Sequence, residues 1–183
     1  YKKLHEEVCQ FANLLVARGI KKGDRVCIYM PMIPQAIVAM LACARVGATH
    51  CVVFAGFSAK ALAQRIQDSG ATMLITSDLL YRGDKTIKLY EIAAEALKTA
   101  NEIKSVILFR RHPGFEKPDK KTFIWQEEVE KFSTTHKAEI LDAEDPFFIL
   151  YTSGSTGKPK GILHTLGGYM VYAGYSFKNV FQY

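Results

Sequence analysis

This 183-residue chain has no C-x-x-C cysteine pair, no histidine cluster, no long apolar run and no internal repeat, and each absence closes off a class of protein. Its four cysteines, Cys9, Cys27, Cys43 and Cys51, are dispersed, three of them in strongly apolar surroundings. They read as reduced core thiols and exclude a disulfide scaffold. The five histidines, His5, His50, His112, His136 and His164, lack ligand spacing, so no metal site is expected within the chain. The longest apolar run, Ala36 to Ala44, is too short to span a bilayer and stops at Arg45. No basic stretch is interleaved with stacking aromatics, and no zinc-finger, RRM or helix-turn-helix pattern occurs, so nucleic acid is not an expected partner. A signal peptide is also missing, but the chain opens on Tyr1 rather than methionine and closes on Tyr183 without a stop signal. We expect it to be part of a longer protein, cytoplasmic or, with a lost targeting segment, from the mitochondrial matrix.

What is present is the material of an α/β fold. Hydrophobic residues make up 49% and charged residues 23%, enough for a core and too apolar for a disordered chain. A net charge of +6 suits polyanionic ligands such as nucleotides or coenzyme A. Leu4, Val8, Phe11, Ala12 and Leu15 share one helical face, and Gly19 closes that helix. Arg25 to Met30 reads as a buried strand ended by Pro31 and Pro34. Pro34 to Val46 is a helix apolar on nearly all sides, expected to be buried, and Gly47 stops it. A strand at Thr49 to Phe54, a helix with Ser58 as N-cap, a strand at Met73 to Thr76, a helix at Lys88 to Lys98 and a strand at Val106 to Phe109 follow. The alternation predicts a doubly wound, mainly parallel sheet. His112 to Lys121 reads as an exposed loop, Trp125 to Phe132 as a short helix packed through Trp125, and Ser133 to Asp142 as a polar lead into the turn Glu144-Asp145-Pro146.

The most informative stretch is Tyr151-Thr152-Ser153-Gly154-Ser155-Thr156-Gly157-Lys158-Pro159-Lys160-Gly161, fed by the apolar run Phe147 to Leu150, read as a buried strand. Glycines let backbone N–H groups turn toward an anion, hydroxyls add donors, and a lysine adds a mobile charge. It is not a Walker A loop: only two residues separate Gly154 from Gly157, and Pro159 stands where Walker A has Ser or Thr. Pro159 removes a donor and pushes Lys158 toward extended backbone, so the loop should cross the phosphates without capping a helix. The competing reading is a flexible surface linker. Two other segments stand out. Tyr81 to Lys85 is a turn carrying Arg82 and Lys85, which by composition is a solvated turn. Phe54-Ala55-Gly56-Phe57-Ser58 is a strand-to-helix turn in which Gly56 serves the backbone.

The Tyr151 to Gly161 loop resembles the signature loop of the adenylate-forming superfamily of acyl-CoA synthetases, peptide-synthetase adenylation domains and luciferases. Ala143 to Pro146, Ile162 to Thr165 and Gly167-Gly168-Tyr169 resemble acetyl-CoA synthetases in particular, and the similarity runs through the whole chain. The resemblance implies that residues 1–183 form part of the large N-terminal AMP-binding (adenylation) domain, ending shortly after the phosphate loop. The implied reaction is attack of acetate on ATP, giving acetyl-adenylate and pyrophosphate, then transfer to coenzyme A. Propionate or another short acid is an alternative substrate, and a non-catalytic fragment binding polyphosphate weakly is another reading. The implied phosphate-binding residues are Thr152, Ser153, Gly154, Ser155, Thr156, Gly157 and Lys160, with Lys160 catalytic and Lys158 a solvated lysine. Arg82, Gly83, Asp84 and Lys85 match the family's Arg-Gly-x-Arg contact to coenzyme A phosphates, with Lys85 in place of the second arginine. Gly56 falls beside the coenzyme A pantetheine arm, with Ala55 where the family has glycine. Magnesium ligands, the adenine and ribose contacts and the acyl pocket are expected beyond Tyr183. This chain alone is therefore expected to be inactive and to leave sheet edges exposed. Adenylation needs no general base, because a carboxylate is already ionised at neutral pH, so His164 is read as structural.

Overall fold

The computed structural model describes residues 1–152 and 159–182. In chain order the elements are α1 (Lys2–Ala17), β1 (Arg25–Tyr29), α2 (Pro34–Val46), β2 (Thr49–Val52), α3 (Ala59–Ser69), β3 (Met73–Ser77), β4 (Leu79–Arg82) and β5 (Lys85–Lys88). There follow α4 (Leu89–Leu97), β6 (Ser105–Phe109), β7 (Thr122–Ile124), α5 (Trp125–Val129), β8 (Pro146–Thr152), β9 (Lys160–Thr165) and α6 (Leu166–Asn179). Seven strands form one sheet in the order β7-β6-β3-β1-β2-β8-β9, while β4 and β5 pair separately. Every neighbour pair in the large sheet is parallel except β8 with β9.

Alternation along the central strands sorts the core into two layers. Val26, Ile28, Met73, Ile75 and Ile107 face α1, α2 and the Trp125 ring of α5. Cys27, Tyr29, Leu74, Val106 and Leu108 face α3 and α4. Trp125 stacks on Phe11 with ring centroids 3.7 Å apart, which joins α5 to α1. All four cysteines are buried and free. The helix ends follow local chemistry. Pro34 begins α2 and Gly47 ends it at φ +71°. Ser58 caps α3, its hydroxyl accepting from the Ala61 N–H at 3.3 Å.

Several expectations need correction. α2 is not enclosed: Ile37 and Leu41 are exposed, and only Ala36, Val38, Ala39, Ala42, Cys43 and Val46 are buried. β2 stops at Val52, and Phe54 projects into solvent. The helix at Trp125 ends at Val129. β8 is half-exposed rather than buried, because Ile149 and Tyr151 pack against the α3 layer while Leu150 stays exposed. The polar stretch 133–142 acts as a strap over the other layer. Asn13 Nδ2 donates to the Ser133 and Thr135 carbonyls at 2.9 Å, and Lys22 pairs with Asp145 at 2.8 Å just before β8.

Candidate functional site

Parallel strands send their carboxyl ends to the same edge of a sheet, and crevices at that edge are where open α/β sheets bind ligands. β3, β1, β2 and β8 are consecutive neighbours. The chain leaving β3 enters the β4–β5 hairpin, the chain leaving β2 forms the turn 54–58, and the chain leaving β8 enters the glycine-rich loop. All three segments singled out in the sequence therefore emerge along one edge. At ~4.8 Å per strand, the β3 and β8 exits stand about 14 Å apart.

β8 and β9 form an antiparallel pair whose last register partners are Thr152 and Lys160. The glycine-rich segment is thus closed at its base by a strand pair, with exposed Thr152 and Lys160 facing each other across it. Ser153, Gly154, Ser155, Thr156, Gly157 and Lys158 lie outside the described residues. Beyond Pro159 the chain runs straight into a strand, in keeping with a loop that caps no helix. Tyr151, one residue before Thr152, donates its phenol hydrogen to Asp68 Oδ2 at 2.5 Å. Burial and that carboxylate hold the phenol pKa well above its ordinary value, so Tyr151 stays a donor. Opposite Tyr151 lies Gly161, where a Cβ would stand 3.2 Å from the tyrosine ring. A side chain there would need Tyr151 and Ile149 to give slightly.

In the turn after β2, Gly56 does not hold a left-handed backbone. A Cβ at Gly56 would come within 2.6 Å of the exposed Phe54 ring, which would have to turn aside. Ala55 is buried in the α3 layer, which places its added methyl within the core. Tyr29 Oη donates to the Phe57 carbonyl at 2.7 Å and ties the turn to the end of β1.

The segment 81–85 is the tip of the β4–β5 hairpin, not an isolated turn. Leu79 pairs with Lys88, and Arg82 directly faces Lys85. Gly83 takes φ +57°, as a two-residue hairpin loop with glycine first requires. Gly83 and Asp84 are exposed, as are Arg82 and Lys85. Like charges directly opposed across two strands destabilise them. An anion bridging Arg82 and Lys85 would relieve that repulsion. The base of the hairpin is anchored by buried Asp78, which accepts from the N–H groups of Leu79 and Arg111 at 2.8 Å and of His112 at 2.7 Å. Arg111 in turn lies over the Tyr81 ring, 4.4 Å from its centroid.

Asp78, Arg111 and Arg65 were not singled out in the sequence as functional. Asp78 was visible only as a polar residue closing a strand, and nothing in the local pattern of Arg111 marks it. His164 stacks on Phe148 at 4.4 Å, a packing role as expected. Trp125 lies in the opposite layer, packed against Phe11 and Phe109. Among the described residues, no group of three or more His, Cys, Asp or Glu side chains could hold a metal ion. No helix among them is long and apolar enough to cross a membrane.

Comparison with known proteins agrees with this architecture. Acetyl-coenzyme A synthetase of Parvibaculum lavamentivorans is 56% identical over 184 aligned residues, and that of Escherichia coli K12 is 53% identical over 186. Both alignments take in the whole of this chain and 28% of the relative, so the chain spans just over a quarter of their length. Among solved structures, acetoacetyl-CoA synthetase from Streptomyces lividans superposes with a TM-score of 0.88 at 32% identity, covering 96% of this chain and 27% of that one. The family model described as AMP-binding enzyme matches residues 1–183 from end to end. The chain belongs to the AMP-binding enzyme family.

Proposed function

We propose that residues 1–183 are the phosphate- and coenzyme-A-binding part of the adenylation domain of an acetate–CoA ligase. The observation that carries this reading is the emergence of the three motif segments from neighbouring strands at one sheet edge. Similarity to two acetyl-coenzyme A synthetases over the full chain supports it. In the first step a carboxylate oxygen of acetate attacks the α-phosphorus of ATP, the bond to the bridging oxygen breaks, and pyrophosphate leaves. In the second, the thiol of coenzyme A attacks the acetyl carbonyl, AMP departs, and the thiol proton passes to solvent. Such phosphoryl transfer asks the protein mainly to position groups and to stabilise charge. Thr152, Ser153, Ser155 and Thr156 would bind the β- and γ-phosphates with the amides of Gly154 and Gly157, and Lys160 would neutralise the departing pyrophosphate. Among the described residues no group of three or more His, Cys, Asp or Glu side chains could hold a magnesium ion, and no step is derived through it. The reading places the enzyme in the cytoplasm or the mitochondrial matrix, acting on small molecules.

ATP–pyrophosphate exchange by the natural polypeptide containing this chain tests the proposal. Exchange stimulated by acetate at least tenfold over background supports it, and stimulation by propionate alone would move the assignment to that acid. The match to an acetoacetyl-CoA synthetase keeps other short acyl groups in the comparison. Absence of exchange with every carboxylate would leave polyphosphate binding alone.

Arg82 and Lys85 give a second test. With Arg82→Ala, KM for coenzyme A should rise about tenfold, the loss of one charge-assisted phosphate contact, while pyrophosphate exchange stays within twofold. Equal damage to both half-reactions would remove the assignment. Lys85→Arg should lower the same KM, because a guanidinium can grip a phosphate in bidentate fashion.

A further inference from the structure

Arg65 is the one Lys or Arg buried among the described residues, with 7% of its surface exposed. Such burial normally requires a carboxylate, yet none of the described residues provides one within ion-pair distance. Nη1 donates to the Ala61 carbonyl at 2.8 Å, one turn back in α3. The guanidinium is otherwise held by two rings, its carbon 4.7 Å from the Phe57 centroid and 5.2 Å from the Tyr151 centroid. Phe57 belongs to the turn after β2, and Tyr151 to the end of β8. Three residues further along the same helical face, Asp68 accepts the Tyr151 hydroxyl. The N-cap of α3, Ser58, is itself the last residue of the turn. One rigid helix therefore begins in one candidate binding segment and grips the strand that leads into the other.

We propose that Arg65 is a positioning residue that fixes the turn 54–58 relative to the β8–β9 hairpin, so that coenzyme A and the phosphates of ATP meet in one geometry. The planar guanidinium matters here: its faces satisfy two rings at once, which an ammonium cannot do. The effect on catalysis rests on the function proposed above; the mechanical link does not.

The test uses the natural full-length polypeptide with Arg65→Met, Arg65→Lys, Phe57→Leu and the double variant Arg65→Met/Phe57→Leu. Arg65→Met should raise KM for coenzyme A about tenfold and lower kcat for pyrophosphate exchange about tenfold, with KM for ATP within twofold. In the Phe57→Leu background, removing Arg65 should change KM for coenzyme A by less than twofold, because its route to the turn is already gone, while the loss in exchange persists through Tyr151. Arg65→Lys should recover no more than twofold of either loss. It carries the same test if the methionine variant does not fold. Additive effects on KM for coenzyme A, full recovery by lysine, or changes under twofold throughout would overturn the proposal. Hydrogen exchange by mass spectrometry reads the link without activity: peptides covering 54–58 and 146–152 should both exchange at least fivefold faster in Arg65→Met or Arg65→Lys, with β3 and β6 unchanged. Faster exchange in neither segment, or across the whole sheet, would refute the link. Coupled exchange in a protein lacking pyrophosphate exchange would refute the function and leave the link standing.

Discussion

Replacing Lys160 by alanine in the natural polypeptide is expected to slow acyl-adenylate formation by about 10²–10³-fold, the loss that follows removal of one preorganised group aimed at developing charge. Lys160 stands opposite Thr152 at the mouth of the β8–β9 pair, where the glycine-rich segment leaves and returns. In the proposed reaction negative charge would accumulate on the departing pyrophosphate as the bond to the α-phosphorus breaks, and an ammonium there would lower the barrier more than it stabilised the bound substrate. Under the proposed function the loss should fall on kcat, with KM for acetate changed by only a few-fold. Lys160 is exposed, so the variant should fold normally. Single-turnover measurement of acyl-adenylate separates chemistry from product release. A rate within a few-fold of wild type would remove Lys160 from the mechanism, and Lys160→Arg should recover part of the loss by restoring the charge.

The second large effect concerns stability. His50 lies in β2 beside β1 and β8, 6% exposed, among the rings of Phe147 and Phe148. Its Nδ1 is buried without a hydrogen-bond partner among the described residues. Burial lowers its pKa from 6.5 to about 4. Between those values the unfolded chain takes up a proton that the folded chain refuses, so stability rises with pH across this window. The protonation penalty of His50 is therefore absent above pH 6.5 and grows as the pH falls toward 4. A tenfold change in proton affinity is worth ~1.4 kcal/mol, so the full penalty is about 3 kcal/mol. Urea unfolding of wild type and His50→Gln at pH 7.5 and pH 4.5 checks this. The variant should lose about 2–3 kcal/mol less than wild type between the two conditions. Carboxylates that titrate in the same range are common to both proteins and cancel. Equal losses would mean that His50 is protonated in the folded state.

Much of the parallel core was legible because its punctuation is local. Pro34 and Gly47 bracket α2, Ser58 starts α3, and runs such as Met73 to Thr76 leave strand as the natural choice for a short buried segment. The candidate segments were legible too, since glycines, hydroxyls and cations gather there. Elements whose identity depends on a neighbour were not. The β4–β5 hairpin has a polar, exposed tip and reads as a turn until Leu79 is seen opposite Lys88. β7 is three residues long and owes its existence to pairing with β6. The contact between Gly56 and the Phe54 ring is likewise one that spacing does not reveal. Nothing in the sequence marks Arg65 for burial, because composition places guanidinium groups in water. Only the convergence of Phe57 and Tyr151 from distant parts of the chain accounts for its burial.

The order of strands also orders events in time. Strands β1, β2, β3, β6 and β7 lie within residues 25–124, and together they form a contiguous five-strand sheet. β8 joins that sheet only at the flank of β2, through contacts such as Thr49 Oγ1 to the Pro146 carbonyl, 97 positions apart in the chain. Contacts of such long range close late in folding, after the local βαβ units. During synthesis β2 is therefore a bare edge, open to pairing with a foreign strand until β8 arrives. Among these seven strands the hairpin bearing Lys160 would then join last, and its arrival covers the vulnerable edge of β2.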